Sequence, residues 1–382
     1  MKIAGALMLI WMVMLFTGCG TAGQLQYPEQ RLRITVMQTA DIRGELSGTS
    51  GSFAQAAQLI EDVRSRNEHT ILIDTGNFAG GSGEAYLSGV QQSQQPHVQA
   101  ALMRGSRFDA ALLGARELGY STTVYQRIRQ DAQVPWVGAN IVNRSTGAPH
   151  VTPYRIIERG SSRIALLGLT HQAAVKAIPE RLIPGIDLLD VMQQASYWVP
   201  RIIEEETPDA LILAVYGRDD ALFRHSAFAQ PQSSSPYRAL IAEMVSQVPG
   251  IDAVLANIDD RGFDELLIGP DGKGVPIVNP ASRGQEVGVL ELELFSPRGI
   301  DAFTELTAEV SRKNTKDLSP SAAVTEILRP YQQRLDTYLS RSIGSTDAAL
   351  TTRDAFFFDA PLMELIHRVQ RSVTGAHVSF AS

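Results

Sequence analysis

Arg33-Ile34-Thr35-Val36-Met37-Gln38, running on into Thr39-Ala40-Asp41-Ile42-Arg43-Gly44, is a β-rich stretch that ends on an acid and a base two residues apart. Its β-branched and apolar residues favour a strand over 33–38. Outward from it the same kind of run recurs. Residues 53–64 have apolar side chains at 53, 56, 57, 59, 60 and 63, the spacing of one helix face. Short apolar runs at 70–74, 110–114, 136–139, 163–169 and 210–215 read as buried strands, with a helix over 189–206. Runs at 253–256, 275–279 and 287–295 close the series. Strands and helices alternating at this spacing mean an α/β domain.

Residues 230–236 form a Gln/Ser/Pro stretch expected to be an exposed loop. The pattern breaks at Leu318–Pro320, and a long amphipathic helix is expected over 322–339. Pro330 lies inside it, which predicts a kink or two helices. A new segment begins near Arg341, with a strand at Ile343, a helix over 361–374 and a strand starting at Val378. A tail of about forty residues is too small for its own core. It either docks on the first domain or begins a further one in a longer protein.

The chain has 382 residues, 44% hydrophobic and 20% charged, with a formal charge of −7. That is the composition of a globular protein without a basic footprint, so nucleic acid is not an expected partner. The first residues differ from the rest. Lys2 precedes an apolar stretch over 3–16 and then Thr17-Gly18-Cys19. The stretch is short for a membrane span and ends in small residues, as an export signal does. Leu15-Phe16-Thr17-Gly18-Cys19 resembles a bacterial lipobox, in which the cysteine is lipidated. Cys19 is the only cysteine, so no disulfide framework exists. The expectation is a lipid-anchored protein of the bacterial cell envelope, on the outer membrane or the periplasmic face. An ordinary signal or anchor helix with an incidental cysteine is the other reading.

Six landmarks between residues 33 and 295 stand in one order. They are Ile34–Gly44, Ile73-Asp74-Thr75-Gly76-Asn77, Leu113-Gly114-Ala115-Arg116-Glu117, Leu213-Ala214-Val215-Tyr216-Gly217, the stretch from Gly250 to Asp260, and Gly288-Val289-Leu290-Glu291-Leu292. Together they resemble the motifs of the 5'-nucleotidases, metallophosphoesterases of the calcineurin-like type. The resemblance implies a four-layer α/β/β/α sandwich over residues 32–315, after a signal peptide (1–19) and a tether (20–31). It also implies a linker helix (316–340) and the start of a second α/β domain (341–382). The implied chemistry is two-metal hydrolysis of phosphoesters, with Zn, Mn, Mg or Co held by carboxylates and imidazoles.

The resemblance assigns ligand slots to Asp41, Arg43, Asn77, Ala115, Val215, Ile258 and Asp260, of which only Asp41 is unchanged and Asp260 chemically tolerable. The catalytic histidine slot is Arg116 and its supporting aspartate slot is Gly119. Val215 and Ile258 have no lone pair to offer. His69, His97, His150, His171, His225, His367 and His377 form no ligand-spaced pair and are expected mostly on surfaces or loops. Gly80-Gly81-Ser82-Gly83 lacks the lysine and spacing of a phosphate-binding loop.

Three readings of the altered site stay open: Arg43 and Arg116 paired with Asp41 and Asp260 in a salt-bridge cluster; the two arginines binding a phosphate or nucleotide; and a weak metal site from Asp41, Glu117, Asp259 and Asp260. The expected function is a non-catalytic binding or scaffolding module without a cofactor, the alternative an active metal-dependent hydrolase with an atypical site.

Overall fold

The computed structural model describes residues 27–49, 51–78, 80–90, 95–176, 178–218, 236–347, 349–353, 355 and 360–380. The export signal, Cys19, residues 20–26 of the tether, His225 and residues 230–235 of the Gln/Ser/Pro stretch lie outside these described residues. Pro236 is the first residue of a helix rather than part of a loop.

Among the described residues the strands form two six-stranded sheets and a two-stranded ribbon. The first sheet holds β1 (Gln30–Thr39), β2 (Thr70–Asp74), β3 (Ala110–Leu112) and β4 (Trp136–Val137), all parallel. β13 (Glu286–Ser296) and β14 (Glu305–Asn314) extend it antiparallel on the other side of β1. The ribbon is β5 (Ile141–Asn143) with β8 (Ile186–Leu188).

The second sheet holds β6 (Tyr154–Arg159), β7 (Ser162–Thr170), β9 (Ala210–Tyr216), β10 (Ala253–Asn257), β11 (Phe263–Ile268) and β12 (Gly274–Asn279). Its strand order is β11-β12-β10-β9-β7-β6, with β7, β9, β10 and β12 parallel. The register sets Thr39 beside Asp74 and Tyr216 beside Asn257, so the parallel strands end level with one another.

Side chains of a strand alternate between faces, and here the alternation sorts the core into two clusters. Ile212, Ala214 and Tyr216 join a large cluster shared with the first sheet. Leu211, Leu213 and Val215 join a second one under the helices that cover the other face. The first sheet is covered by helices α1 (Phe53–Arg64), α2 (Gly83–Val90), α3 (Val98–Gly105), α4 (Ala115–Gly119) and α5 (Thr122–Ala132). Helices α6 (Val191–Glu206) and α7 (Pro236–Gln247) cover the second. This is the four-layer α/β/β/α sandwich. Ser52 starts α1 by accepting from the Gln55 N–H, and Phe53, Ala56, Ala57 and Ile60 bury the expected face.

Helix α8 (Ala322–Leu339) is one helix with Pro330 inside it, not two. Val324, Leu328 and Tyr331 are buried, and the Tyr331 hydroxyl donates to the Pro96 carbonyl. These contacts hold the helix through the place where proline removes one backbone bond. The chain divides into compact units at Gln332/Gln333, inside this helix. In the second unit α9 (Pro361–Thr374) forms where expected. The strands expected at Ile343 and from Val378 do not form: residues 343 and 378–380 are irregular, and Ile343, Val378 and Phe380 are exposed. A strand exists only when another backbone pairs with it, and no described residue pairs with these.

No helix among the described residues is long and apolar enough to cross a membrane.

Candidate functional site

The loops after β1, β2, β9, β10 and β12 meet beyond the carboxyl ends of their strands, where open α/β sheets place their sites. Asp41 lies at the centre and is fully buried. Its Oδ1 accepts from Asn77 Nδ2 at 3.1 Å, and its Oδ2 lies 2.8 Å from Arg43 Nε and 3.3 Å from Arg218 Nη2. Arg43 Nη2 also reaches Asp260 Oδ1 at 3.0 Å. Arg218, itself buried, contacts the same oxygen through Nη2 and donates through Nη1 to Asn257 Oδ1 (3.0 Å) and the Asp259 carbonyl (2.8 Å).

The backbone is built to present these groups. Asp41, Arg43 and Asn77 have φ of 53°, 52° and 63°, in the left-handed region that non-glycine residues seldom enter. Strain of that kind persists only where surroundings over-determine it. Here they do: the Asp41 N–H donates to the Gly76 carbonyl, the Arg43 N–H to Asn77, and the Arg283 N–H to the Asp41 carbonyl. Gly76 has φ 100°, and a Cβ there would come within 3.1 Å of the Gly114 backbone, so glycine is required. Asn257 binds the two sheets together at this point, its Nδ2 donating to the carbonyls of Thr75 and Gly76.

A second acid supports the site without entering it. Glu117, buried on α4, accepts from the backbone N–H groups of Asn77 (2.9 Å), Phe78 (2.8 Å) and Gly114 (3.0 Å) and from Gln99. Burial raises its pKa, and those backbone donors pull the other way. Burial also pushes Asp74 up to about 8, against the hydrogen bond from Thr39. For Asp260 burial acts to raise the pKa, but the guanidinium groups of Arg218 and Arg43, with the Ser282 hydroxyl, outweigh it and hold the carboxyl below its ordinary value.

No family model matches the chain. Among curated proteins it is similar to a 2',3'-cyclic-nucleotide 2'-phosphodiesterase/3'-nucleotidase of Yersinia enterocolitica, 24% identical over 349 residues. It is also similar to a 5'-nucleotidase of Vibrio cholerae, 25% identical over 363 residues. These alignments take in 84% and 87% of this chain but only 51% and 64% of those proteins. In fold it is similar to the calcineurin-like phosphoesterase YfkN from Bacillus subtilis, with a TM-score of 0.69 at 20% identity over 82% of this chain and 100% of that one. The chain resembles the 5'-nucleotidases.

Against the 5'-nucleotidase motifs, the structure brings Asp41, Arg43, Asn77 and Asp260 together. It sends others elsewhere. Val215 and Ile258 pack into the hydrophobic cluster under α6 and α7, and Ala115 into the large cluster of the first sheet. Gly119, at the end of α4, has no atom within 4 Å of an added Cβ, so that slot faces open space.

The expected pairing of Arg116 with the aspartates is corrected. Its Nη1 donates to the Gly80 carbonyl and its backbone N–H to Asn77 Oδ1. Gly80 lies so close that a Cβ there would sit 2.7 Å from Arg116 Cβ, which directs the arginine along the glycine loop. The guanidinium that joins Arg43 on Asp41 and Asp260 is that of Arg218, a residue the motif comparison does not reach because that landmark ends at Gly217. The available signal is a basic residue directly after Gly217 at a strand end.

Of the four acids of the expected weak metal site, Asp41 and Asp260 share the arginines, while Glu117 and Asp259 are engaged elsewhere. Glu117 is turned to its backbone donors, and Asp259 Oδ1 accepts from its own loop at Arg261. The donor set at the motif positions does not fit a pair of divalent cations. Asp41 is engaged by two guanidinium groups and an amide, and three slots are hydrocarbon.

Of the six histidines among the described residues five stand in loops, as expected, and only His367 lies inside a helix. His97 is fully buried at the start of α3, where Nδ1 accepts from the Gln99 N–H, and burial lowers its pKa to about 3. His171 caps a short 3₁₀ turn through Nδ1 and packs edge-on against Tyr237.

Proposed function

We propose that the chain is a lipid-anchored bacterial cell-envelope relative of the 5'-nucleotidases that binds phosphate-bearing ligands without hydrolysing them. One observation carries the non-catalytic reading. The buried Asp41 carboxylate, which the motif comparison makes a metal ligand, is neutralised by Arg43 and Arg218. A covalently attached cation leaves Asp41 no need of a divalent one, and a guanidinium cannot supply a bound hydroxide as a metal does. The ligand class follows from the nucleotidases and nucleotide phosphodiesterases that the chain is similar to. The anchor rests on the stretch ending at Cys19.

The test is elemental analysis of the purified full-length protein, followed by assays with AMP and a generic aryl phosphate after adding Mn, Zn, Mg or Co. The expected result is folded, metal-free and inactive protein whose thermal midpoint does not respond to chelator. Stoichiometric divalent metal, or hydrolysis lost on replacing Asp41, would establish the active-hydrolase alternative. Fatty-acid labelling that disappears in Cys19→Ala tests the anchor; equal labelling of both proteins overturns it.

A further inference from the structure

We infer that the end of the sandwich opposite the candidate site, from the β13–β14 turn across to β11, rests on the lipid surface that holds Cys19. The candidate site then opens away from the bilayer, toward soluble ligands. This rests on the lipid-anchor reading above and adds which face meets the membrane.

The first described residue, Tyr27, lies at this end. Its carbonyl accepts from the Gly299 N–H, in the turn between β13 and β14, at 2.8 Å. That bond continues the register in which Gln30 pairs with Ser296. About 40 Å of extended chain therefore separates Tyr27 from Thr39, where β1 ends just short of the site. Cys19 lies eight residues before Tyr27. However those residues fold, they span no more than about 29 Å. The tether is shorter than the distance from its root to the site, so the site cannot be turned down onto the surface that holds Cys19.

Large apolar side chains collect at the tethered end. Ile300 stands exposed on the turn, which the Ser296 hydroxyl braces by donating to the Ile300 carbonyl at 2.7 Å. On β11, Leu266 and Ile268 are 63% and 59% exposed. Leu266 and Ile203 line one groove of about 800 Å³ with Phe303 and Leu306, between the β13–β14 hairpin and the amino ends of β9, β10 and β12. A single exposed apolar residue needs no explanation, but several round one groove mark a surface that meets another apolar phase. Lipid is the occupant that the tether brings to this face. The exposed charges of the rim are Asp271, Asp301 and Glu305 against Lys273 and Arg298, so anionic headgroups give it no hold. Apolar contact carries the docking, and it need not be strong, because the tether confines the face within reach of the surface.

The experiment places a fluorophore on single introduced cysteines of the lipidated full-length protein, in phosphatidylethanolamine/phosphatidylglycerol vesicles containing nitroxide-labelled lipid. Ile300→Cys and Leu266→Cys are expected to be quenched roughly threefold more than Arg261→Cys, an exposed position in the loop after β10 at the site end. Adding Ile203→Asp/Ile268→Asp is expected to lower the quenching at position 300 while the protein still floats with the vesicles. Equal quenching at all three positions, or stronger quenching of Arg261→Cys, in protein that floats overturns the assignment of the face and leaves the anchor standing. Natural protein that does not float, or Cys19→Ala that floats equally well, overturns instead the anchor reading beneath it. Cys19→Ala protein that sediments as a dimer, and as a monomer once Leu266→Asp is added, gives the face to a second copy and overturns the lipid contact.

Discussion

Arg43 Nε lies 2.8 Å from Oδ2 of Asp41, two residues earlier in the chain, and both residues hold left-handed φ angles of 52° and 53°. The pair is thus a local contact that only a strained loop makes possible. That loop is tied to the loops after β2 and β12 through its bonds to Gly76, Asn77 and Arg283.

Removing Arg43 leaves the buried Asp41 carboxylate to Arg218 and Asn77. Arg43→Ala is expected to cost about 3 kcal/mol, the scale of a half-broken buried ion pair. The double variant Arg43→Met/Asp41→Asn is expected to recover a large part of it, since both charges are gone. Urea denaturation of the natural protein, Arg43→Ala and the double variant measures this; a double variant no more stable than Arg43→Ala would show that nothing is recovered.

Glu117 gives a sharper loss from a neutral-looking place. Glu117→Ala leaves the N–H groups of Asn77, Phe78 and Gly114 without acceptors, and is expected to destabilise by about 3 kcal/mol or more. Glu117→Gln keeps one carbonyl oxygen and is expected to cost less. Amide exchange at Asn77 and Phe78 should quicken in both, more in the alanine variant; unchanged exchange there would rule out the clamp.

Asp74 makes stability depend on pH with a definite sign. Its folded pKa, about 8, is raised by burial above the ordinary 3.8. An acid raised on folding contributes stability that is fully present below its unfolded pKa and is lost as pH rises through the folded one. Stability should therefore fall between pH 3.8 and about 8 from this group, and Asp74→Asn should flatten the profile in that window. A variant whose pH profile parallels that of the natural protein throughout would contradict this.

Gln133 ends α5 in the left-handed conformation, φ 55°, and is exposed. Glycine adopts that conformation without a Cβ penalty. Gln133→Gly is expected to stabilise by about 0.5–1 kcal/mol, read as a higher urea midpoint with an unchanged slope. A lower midpoint would mean that the glutamine side chain makes up for its strained backbone.

Strands buried on both faces were legible as apolar runs, because nothing but a core accepts Thr70–Asp74 or Ala210–Tyr216. β6, β11 and β14 were not: their residues alternate between half-buried and exposed, and only a neighbouring strand makes Glu305–Asn314 a strand rather than a polar connection. The reverse error came at Ile343 and Val378, where apolar residues without a partner stay irregular.

The sequence by itself determined the alternating α/β order, the resemblance to the 5'-nucleotidases, and the chemical loss at Arg43, Ala115, Val215 and Ile258, since residue type alone decides what can donate a lone pair. Only the tertiary structure decided which arginine serves Asp41. Arg116 stands in a motif slot and Arg218 just past one, yet Gly80 holds the first along its loop while Asn257 and the Asp259 carbonyl fix the second on the aspartates. Long side chains reach whatever acceptor the packed strand ends leave nearby, and that arrangement exists only after two sheets have met.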